Sequence, residues 1–214
     1  MPRQRRVTPD QILAAAALEF SERGFAGARV DRIARRARVN KAMLYYHFKS
    51  KQALYRALLR ETFSLAAQRM QAVAATSAPP AEKLDRAIEA FTELIRERSF
   101  APAIMLREVA EGGAHLDPET MAVLAGVPRA FGSIVAEGIA AGEFRAVNPV
   151  FTYFSIIPTI VVFLCSAPIR REIDARHLIT PDAIGAPEDF IEFLQANLRR
   201  ALAPERATAG GHKR

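Results

Sequence analysis

The sequence predicts an all-α protein in which a small N-terminal three-helix domain precedes a larger helical domain. Three observations predict this fold class. Apolar residues recur at the spacing of helix faces, and proline repeatedly follows a residue that caps helices. No segment shows the sustained alternation of apolar and polar residues that is typical of a strand.

The first three helices are predicted within residues 8–48. Thr8-Pro9-Asp10-Gln11 has the pattern of a capping box, with Thr8 as N-cap, Pro9 in the first position and Gln11 in the third. The helix that follows buries a stripe through Phe20 and ends at Gly24, a residue that often terminates helices. Short helices are then predicted over 30–37 and 41–48.

Later helices are marked by their caps. Ser50 caps a fourth helix that reaches about residue 75, where the run Ser77-Ala78-Pro79-Pro80 breaks the chain. Beyond it the stripe Leu84, Ile88, Phe91 and Ile95 predicts a fifth helix. Three further helices are predicted to open at Asp117-Pro118, Asn148-Pro149 and Pro187. The polar tail, residues 204–214, is expected to be disordered.

The segment 150–169 is nearly uncharged over a length that could cross a membrane. It contains two prolines, Pro158 and Pro168, and several hydroxyl side chains. A helix that is apolar all round is also expected where it is buried on several sides. We therefore interpret this segment as buried core or as a subunit interface, with a membrane span as the alternative.

Charge is concentrated at the N-terminus. Residues 1–60 contain 14 Lys and Arg against 4 Asp and Glu, a net charge of +10, whereas the whole chain of 214 residues carries +7. Such a basic segment on a near-neutral body is typical of proteins that bind a polyanion. One cysteine, Cys165, and an N-terminus without an apolar signal segment favour a cytoplasmic location.

The segment Val30–Phe48 reads VDRIARRARVNKAMLYYHF and predicts a helix-turn-helix. Asn40 is a good N-cap for the second helix, and Leu44 and Phe48 lie four residues apart as its buried anchors. The outward side chains are a lysine, two phenols and an imidazole, which can contact phosphates and base edges in the DNA major groove. Lys51 follows at the next helix N-terminus, where a phosphate is favoured.

Structural roles are the alternative for several of these residues. Tyr46 could pack on the first or fourth helix instead of on DNA, and His47 could be a structural hydrogen-bonding group. Arg35 and Arg36 are expected mainly to form a solvated face.

Order and spacing of residues 8–60 resemble the N-terminal domain of the tetracycline-repressor (TetR) family. The resemblance rests on Gly24-Phe25, Ile33-Ala34, Leu44-Tyr45-Tyr46-His47-Phe48 and Ser50-Lys51. It implies a DNA-binding domain at 1–50, a ligand-binding and dimerisation domain at 51–203, and a transcriptional regulator, with repression as the family expectation. The rest of the chain resembles the family in size and helical character.

The resemblance also implies the DNA contacts. Tyr45 and His47 are expected on phosphates, and Lys41 is expected to read a base, since a lysine donor suits guanine. The full predicted set is Arg29, Arg32, Lys41, Ala42, Tyr45, Tyr46, His47 and Lys51. Arg29 stands where the family usually has Ser or Thr as an N-cap, and Arg38 where it usually has Gly in the turn. If Arg38 takes a positive φ, the conformation costs about 1 kcal/mol.

A regulator of this family implies a small-molecule pocket and a homodimer. The expected effector is uncharged or lipophilic, because the candidate lining is mostly apolar and aromatic. Glu108 is the charged candidate, facing a ligand or pairing with Arg107 or Arg129. Helices near 149–166 and 187–203 are the predicted dimer interface, and a two-fold dimer implies a palindromic operator. The candidate lining residues are Phe91, Leu94, Met105, Glu108, Phe131, Phe151, Phe154 and Cys165.

Two other functions compete with regulation. An enzyme is disfavoured because the four histidines are scattered and no HExxH, Walker or GxSxG pattern occurs. We therefore expect no catalytic residues, no metal site and no cofactor. A membrane-surface protein would use the basic N-terminus and segment 150–169, but we expect no membrane association.

Overall fold

The computed structural model describes residues 8–179 and 185–204, and within these it contains helices and no β-strand. The predicted all-α fold class is therefore confirmed. The predicted disordered tail lies outside the described residues, apart from Pro204. The helices are α1 (Pro9–Gly27), α2 (Val30–Ala37), α3 (Lys41–Phe48), α4 (Lys51–Ala74), α5 (Pro80–Glu97), α6 (Ala101–Ala110), α7 (Pro118–Leu124), α8 (Gly126–Ala140), α9 (Pro149–Cys165), α10 (Ala167–Ala175) and α11 (Pro187–Leu202).

Helix α1 begins at Pro9, as predicted, but the capping box is wrong. The Thr8 side chain makes no cap hydrogen bond; instead the Gln11 N–H donates to the Thr8 carbonyl oxygen at 3.1 Å. The helical path breaks at Gly24, whose φ of 67° favours glycine, and one further turn runs to Gly27. An added Cβ at Gly24 would lie 3.1 Å from the Arg107 guanidinium, so the end of that side chain would have to move by a few tenths of an ångström.

The chain forms two compact units. The first unit runs to Arg69 and includes Glu93–Val127, and the second comprises Met70–Thr92 and the described residues from Pro128 onward. The first unit extends past residue 50 because α4 packs in the same core as the three preceding helices. That core is centred on side chains with no more than 1% exposure: Ile12, Phe20, Ile33, Leu44, Leu54, Tyr55, Leu58 and Leu59.

The second unit has its own apolar interior, built from α5, α8, α9 and α11. The predicted stripe of α5 is buried, and so are Ile191, Leu194, Leu198 and Leu202 of α11. Polar contacts add to this packing: Lys83 donates to Glu137 at 2.8 Å, and the Gln195 amide donates to Glu89 at 3.1 Å. The interior is formed by Leu84, Ile88, Phe91, Phe131, Ile134, Ile156, Ile160, Ile191, Leu194 and Leu198.

The apolar segment 150–169 forms α9 and the start of α10, which are bent by 52° relative to each other. One face of α9 is buried through Ile156 and Ile160, whereas Phe151 is 73% and Phe154 is 61% exposed on the other. By length and composition, this bent pair and the stretch Pro118–Ala140, which comprises α7 and α8, could cross a membrane. Core helices of soluble proteins meet the same criterion, so it is weak evidence for a membrane protein.

Candidate DNA-binding site

Helices α2 and α3 form a helix-turn-helix with the predicted bounds, joined by residues 38–40. Arg38 takes the left-handed conformation, with φ 57° and ψ 41°. The Val39 N–H then donates to the Ala34 carbonyl oxygen at 2.9 Å, which closes the C-terminus of α2. The turn thus keeps the geometry that glycine favours, although its residue is arginine.

Asn40 caps α3, as predicted. This second helix of the motif is the one expected to contact bases and is called the reading helix. Its Oδ1 accepts a hydrogen bond from the Met43 N–H at 2.7 Å, and Leu44 is fully buried beneath the helix. This anchoring leaves Lys41, Ala42 and Tyr45 exposed on the outer face. A short helix fixed at its cap and by one buried leucine is suited to enter a groove without bending.

Tyr46 is 70% exposed and does not lie in the core. Its ring meets the His47 imidazole edge-on at 5.3 Å, and the Lys49 ammonium lies 5.6 Å from the ring centroid. His47 is half-buried between Tyr46 and Phe48, with the Phe48 ring centroid at 6.3 Å. The structural alternative for Tyr46, packing on α1 or α4, is therefore not observed. The His47 ring, in contrast, packs against its neighbours Tyr46 and Phe48 at the end of α3.

Glu19 in α1 organises the start of α2, and the sequence reasoning missed it. Its carboxylate is 2% exposed and accepts a hydrogen bond from the Arg29 backbone N–H at 3.2 Å. It also pairs with Arg32 at 3.6 Å and with Arg23 at 3.8 Å. The only signal in the sequence was an acidic residue beside the buried stripe of α1. A negative charge at this position complements the N-terminus of α2.

The predicted base-reading lysine already has a partner within the unit. Lys41 Nζ lies 2.5 Å from Asp31 Oδ1, and both side chains are exposed. A DNA contact by Lys41 therefore exchanges one anion for another. Arg36 likewise pairs with Glu22 at 3.1 Å, in keeping with the solvated face expected there.

Lys51 stands at the first position of α4, where Ser50 caps the helix by accepting from the Ala53 N–H at 3.0 Å. Its ammonium donates to the Ala26 carbonyl oxygen at 3.3 Å and lies 4.7 Å from the Phe25 ring centroid. Burial lowers the pKa of Lys51, while Glu19 acts in the opposite direction. The ammonium has further N–H groups that remain able to donate to a phosphate.

The candidate ligand residues are divided between the two units. Leu94, Met105 and Glu108 belong to the first unit, and the other five to the second. Glu108 has two partners that the sequence reasoning missed, one 53 positions away in α4 and one seven positions away beyond the end of α6. The Tyr55 hydroxyl donates to Glu108 Oε1 at 2.8 Å, and His115 Nδ1 lies 2.9 Å from the same oxygen. Burial and this hydrogen bond raise the pKa of Tyr55.

In the second unit, Phe91 and Phe131 are buried and Cys165 is half-buried, with burial raising the pKa of its thiol. Phe151 and Phe154 lie on the exposed face of α9. Phe151 also borders an open groove of about 430 Å³ between the start of α9 and the end of α11. These five residues thus divide between the interior of the unit and its surface.

A basic helix-turn-helix unit with an exposed, capped reading helix defines a DNA-binding protein. Comparison with known proteins agrees. Residues 12–58 match the family described as bacterial regulatory proteins, tetR family, and residues 77–162 match a tetracyclin repressor-like C-terminal domain.

Curated relatives are regulators. The chain is 30% identical over 145 residues to the HTH-type transcriptional regulator RutR of Escherichia coli, covering 68% of each protein. It is 30% identical over 146 residues to the transcriptional repressor KstR2 of Mycolicibacterium smegmatis, covering 67% of this chain and 71% of the relative. The chain belongs to the TetR family of bacterial transcriptional regulators.

Solved structures show the same fold at lower identity. FadR from Bacillus subtilis, in complex with stearoyl-CoA, superposes with a TM-score of 0.69 at 22% identity, covering 88% of this chain and 98% of that one. KstR2 of Mycobacterium tuberculosis, a ketosteroid transcriptional regulator, gives a TM-score of 0.70 at 21% identity over 94% and 98% of the two chains.

Proposed function

We propose that this regulator is a repressor that binds a palindromic operator as a homodimer and is released by a small, apolar effector. The observation that carries the proposal is the outer face of α3, where Lys41, Tyr45 and Tyr46 are exposed on a segment of net charge +10. In this proposal residues 1–50 bind DNA, residues 51–203 bind the effector and dimerise, and the protein acts in the cytoplasm.

The proposed DNA contacts come from exposed and half-buried side chains in and beside α2 and α3. Lys41 exchanges Asp31 for the acceptor edge of a guanine, and Tyr45 and His47 donate to phosphates on either side. The Arg29 side chain is free of any capping role, so its guanidinium binds a phosphate at the start of α2. Arg32, Ala42, Tyr46 and Lys51 complete the proposed contact set.

Dimerisation is supported by the apolar surface of α9 and α11. Phe151, Phe154 and Val162 lie on one exposed face of α9, and Phe193 is exposed on α11. Several large apolar side chains exposed on one helix face are a feature of interaction surfaces. In a two-fold dimer the same face of each subunit is covered, and two reading helices address half-sites about 34 Å, or a multiple of it, apart.

An apolar effector is supported by the interior of the second unit, where Phe91 and Phe131 are buried among aliphatic side chains. The structurally similar FadR holds stearoyl-CoA, and KstR2 is a ketosteroid regulator. Native mass spectrometry of the purified protein tests this directly. A co-purified lipophilic molecule that weakens DNA binding supports the proposal, and a strictly polar effector contradicts it.

The DNA-binding role is tested by footprinting on the DNA that flanks the protein's own gene. We expect a protected palindrome, with Lys41→Ala weakening binding by about 1–3 kcal/mol, roughly tenfold or more, through loss of a base contact. Tyr45→Ala removes a phenol hydrogen bond to an anionic phosphate and is expected to weaken binding by a comparable amount, about 1.5–3 kcal/mol. Arg171→Ala removes an exposed charge from α10, outside the predicted contact set and the predicted dimer helices, and is the control.

Two results would count against the proposal. One is that no palindrome is protected at low salt; the other is that Lys41→Ala and Tyr45→Ala bind as tightly as Arg171→Ala. Transcription that rises rather than falls when the protein occupies its site would make it an activator, as the relative FasR of Mycolicibacterium smegmatis is described to be.

A further inference from the structure

Two carboxylates and an imidazole meet at the C-terminal end of α6, away from the reading helix. Glu108 lies in α6, Glu111 is the residue that ends it, and His115 follows in the next turn. His115 Nδ1 lies 2.9 Å from Glu108 Oε1 and 3.4 Å from Glu111 Oε2. One ligand atom of each residue lies within 4.8 Å of the others, so a single ion can reach all three.

The Glu108 carboxylate is buried among uncharged or titratable groups and has no Lys or Arg among its hydrogen-bond partners in the described residues. The side chain is 1% exposed, and a buried carboxylate is strongly destabilised unless it is paired. The groups placed on it are the Tyr55 phenol, the His115 imidazole and the His115 backbone N–H, the last at 3.4 Å. The Tyr55 hydroxyl and His115 Nδ1 both contact Oε1, and the backbone N–H contacts Oε2. A cation held beside His115 Nδ1 would pair with this buried carboxylate.

We propose that Glu108, Glu111 and His115 bind a divalent transition metal ion, with Zn²⁺ as the preferred ion. One nitrogen and two oxygen donors suit Zn²⁺, and tetrahedral ligands about 2.0–2.2 Å from zinc lie roughly 3.4 Å from one another. The distance from Nδ1 to Glu111 already has this value, whereas the shorter distance to Glu108 has to open by a few tenths of an ångström. Solvent completes the coordination, because Glu111 is exposed.

A neighbouring side chain holds one of the proposed metal ligands in place. The Tyr55 hydroxyl donates to Glu108 Oε1 and fixes the orientation of that carboxylate, as groups behind metal ligands commonly do. The expectation of no metal site was based on familiar spacings such as HExxH. The pattern here is ExxExxxH. Its two carboxylates lie one helical turn apart at the end of α6, and the turn that follows places His115 beside them.

Resting on the proposed function, the same site gives metal a route to the DNA-binding helices. The His115 ring lies 4.1 Å from the Phe25 ring and 5.3 Å from the Tyr55 ring. Phe25 in turn carries the Lys51 ammonium on its face. Coordination through Nδ1 fixes the imidazole and therefore its packing on Phe25. Metal occupancy is thus expected to change operator affinity through the end of α1 and Lys51.

The test uses untagged, full-length protein freed of metal by chelation and titrated with ZnCl₂ in a calorimeter. We expect one Zn²⁺ per chain, with Glu111→Gln and His115→Ala each weakening binding at least tenfold. The controls are His177→Ala and Glu93→Gln, which remove an exposed histidine and an exposed carboxylate elsewhere. Circular dichroism establishes that each variant is folded. Absence of stoichiometric binding, or equal affinity in the Glu111→Gln and control variants, would overturn the site.

X-ray absorption at the zinc edge of the wild-type complex gives a readout that needs no variant. One imidazole with oxygen ligands is expected. A sulfur ligand at about 2.3 Å would place the ion on Cys165 and refute the proposed site. Operator binding with and without Zn²⁺ then tests the coupling: a several-fold change that Glu111→Gln abolishes supports it, and an unchanged affinity rejects it. If no DNA is bound under any condition, the proposed function fails. The calorimetric zinc titration still tests the metal site in that case.

Discussion

Arg38 has the backbone conformation least suited to its residue type within the helix-turn-helix. Its left-handed φ of 57° closes α2 and aims the chain into the cap at Asn40. For an L residue with a Cβ this conformation costs roughly 1–2 kcal/mol. The turn is therefore strained at Arg38, and this residue adds a positive charge between α2 and α3.

Replacing Arg38 with glycine should stabilise the protein. Relief of the left-handed conformation outweighs the extra backbone entropy of glycine, and we expect a gain of about 0.5–1 kcal/mol in the free energy of unfolding. Urea unfolding followed by circular dichroism measures it. Arg35→Gly, inside α2, is the matched control and should instead lose about 1 kcal/mol. A loss of stability in Arg38→Gly would show that the arginine side chain contributes more than the strain it imposes.

At the scale of elements, Asp85 joins α5 to α11 at an energetic cost. Its carboxylate pairs with Arg199, yet its pKa is raised, because desolvation outweighs the attraction of the guanidinium. A raised pKa in the folded state means that the fold prefers the protonated acid. As pH rises from the ordinary value of 3.8 through the raised value, the unfolded chain loses its proton first, and this group's contribution to stability falls.

Asp85→Asn removes that dependence. We expect the wild-type protein to lose stability relative to Asp85→Asn as pH increases above about 4, until the folded-state pKa is passed. At neutral pH the variant should be at least as stable as the wild type. Thermal unfolding of both proteins between pH 3 and 7 measures the difference. Glu82→Gln, an exposed position in the same helix, is the control. A difference that moves in favour of the wild type with rising pH would contradict the assignment.

The sequence predicted the bounds of a helix well where both of its ends are set by residues close to them in the chain. The bounds of α2 and α3 follow from the turn and from Asn40, whose cap involves a residue three positions away. Partners that the fold brings together were not predictable in this way. Glu19 reaches Arg29 across ten positions, and Tyr55 reaches Glu108 across 53. Such pairs cannot be found from periodicity or spacing in the sequence, because tertiary packing determines which distant residues meet.

At the scale of the whole molecule, the exposed face of α9 is where the proposed dimer is most easily disrupted. Phe154→Glu would place a carboxylate in a dry apolar contact, which costs about 3 kcal/mol and weakens dimerisation roughly a hundredfold. Sedimentation velocity across a concentration series measures it, and operator affinity should fall in parallel. Met121→Glu changes an exposed apolar residue of the other unit and is the control. Unchanged assembly in Phe154→Glu would exclude this face from the interface.

Glu19 has a consequence for how such a protein acquires new targets. Because a carboxylate from α1 satisfies the Arg29 N–H and complements the start of α2, residue 29 has no structural duty of its own. Its side chain can therefore be exchanged among cationic, polar and small types without loosening the fold. Substitutions at position 29 are therefore expected to alter the grip on the DNA backbone while the unit stays folded, whereas loss of the acid at position 19 would remove the anion that holds the start of α2.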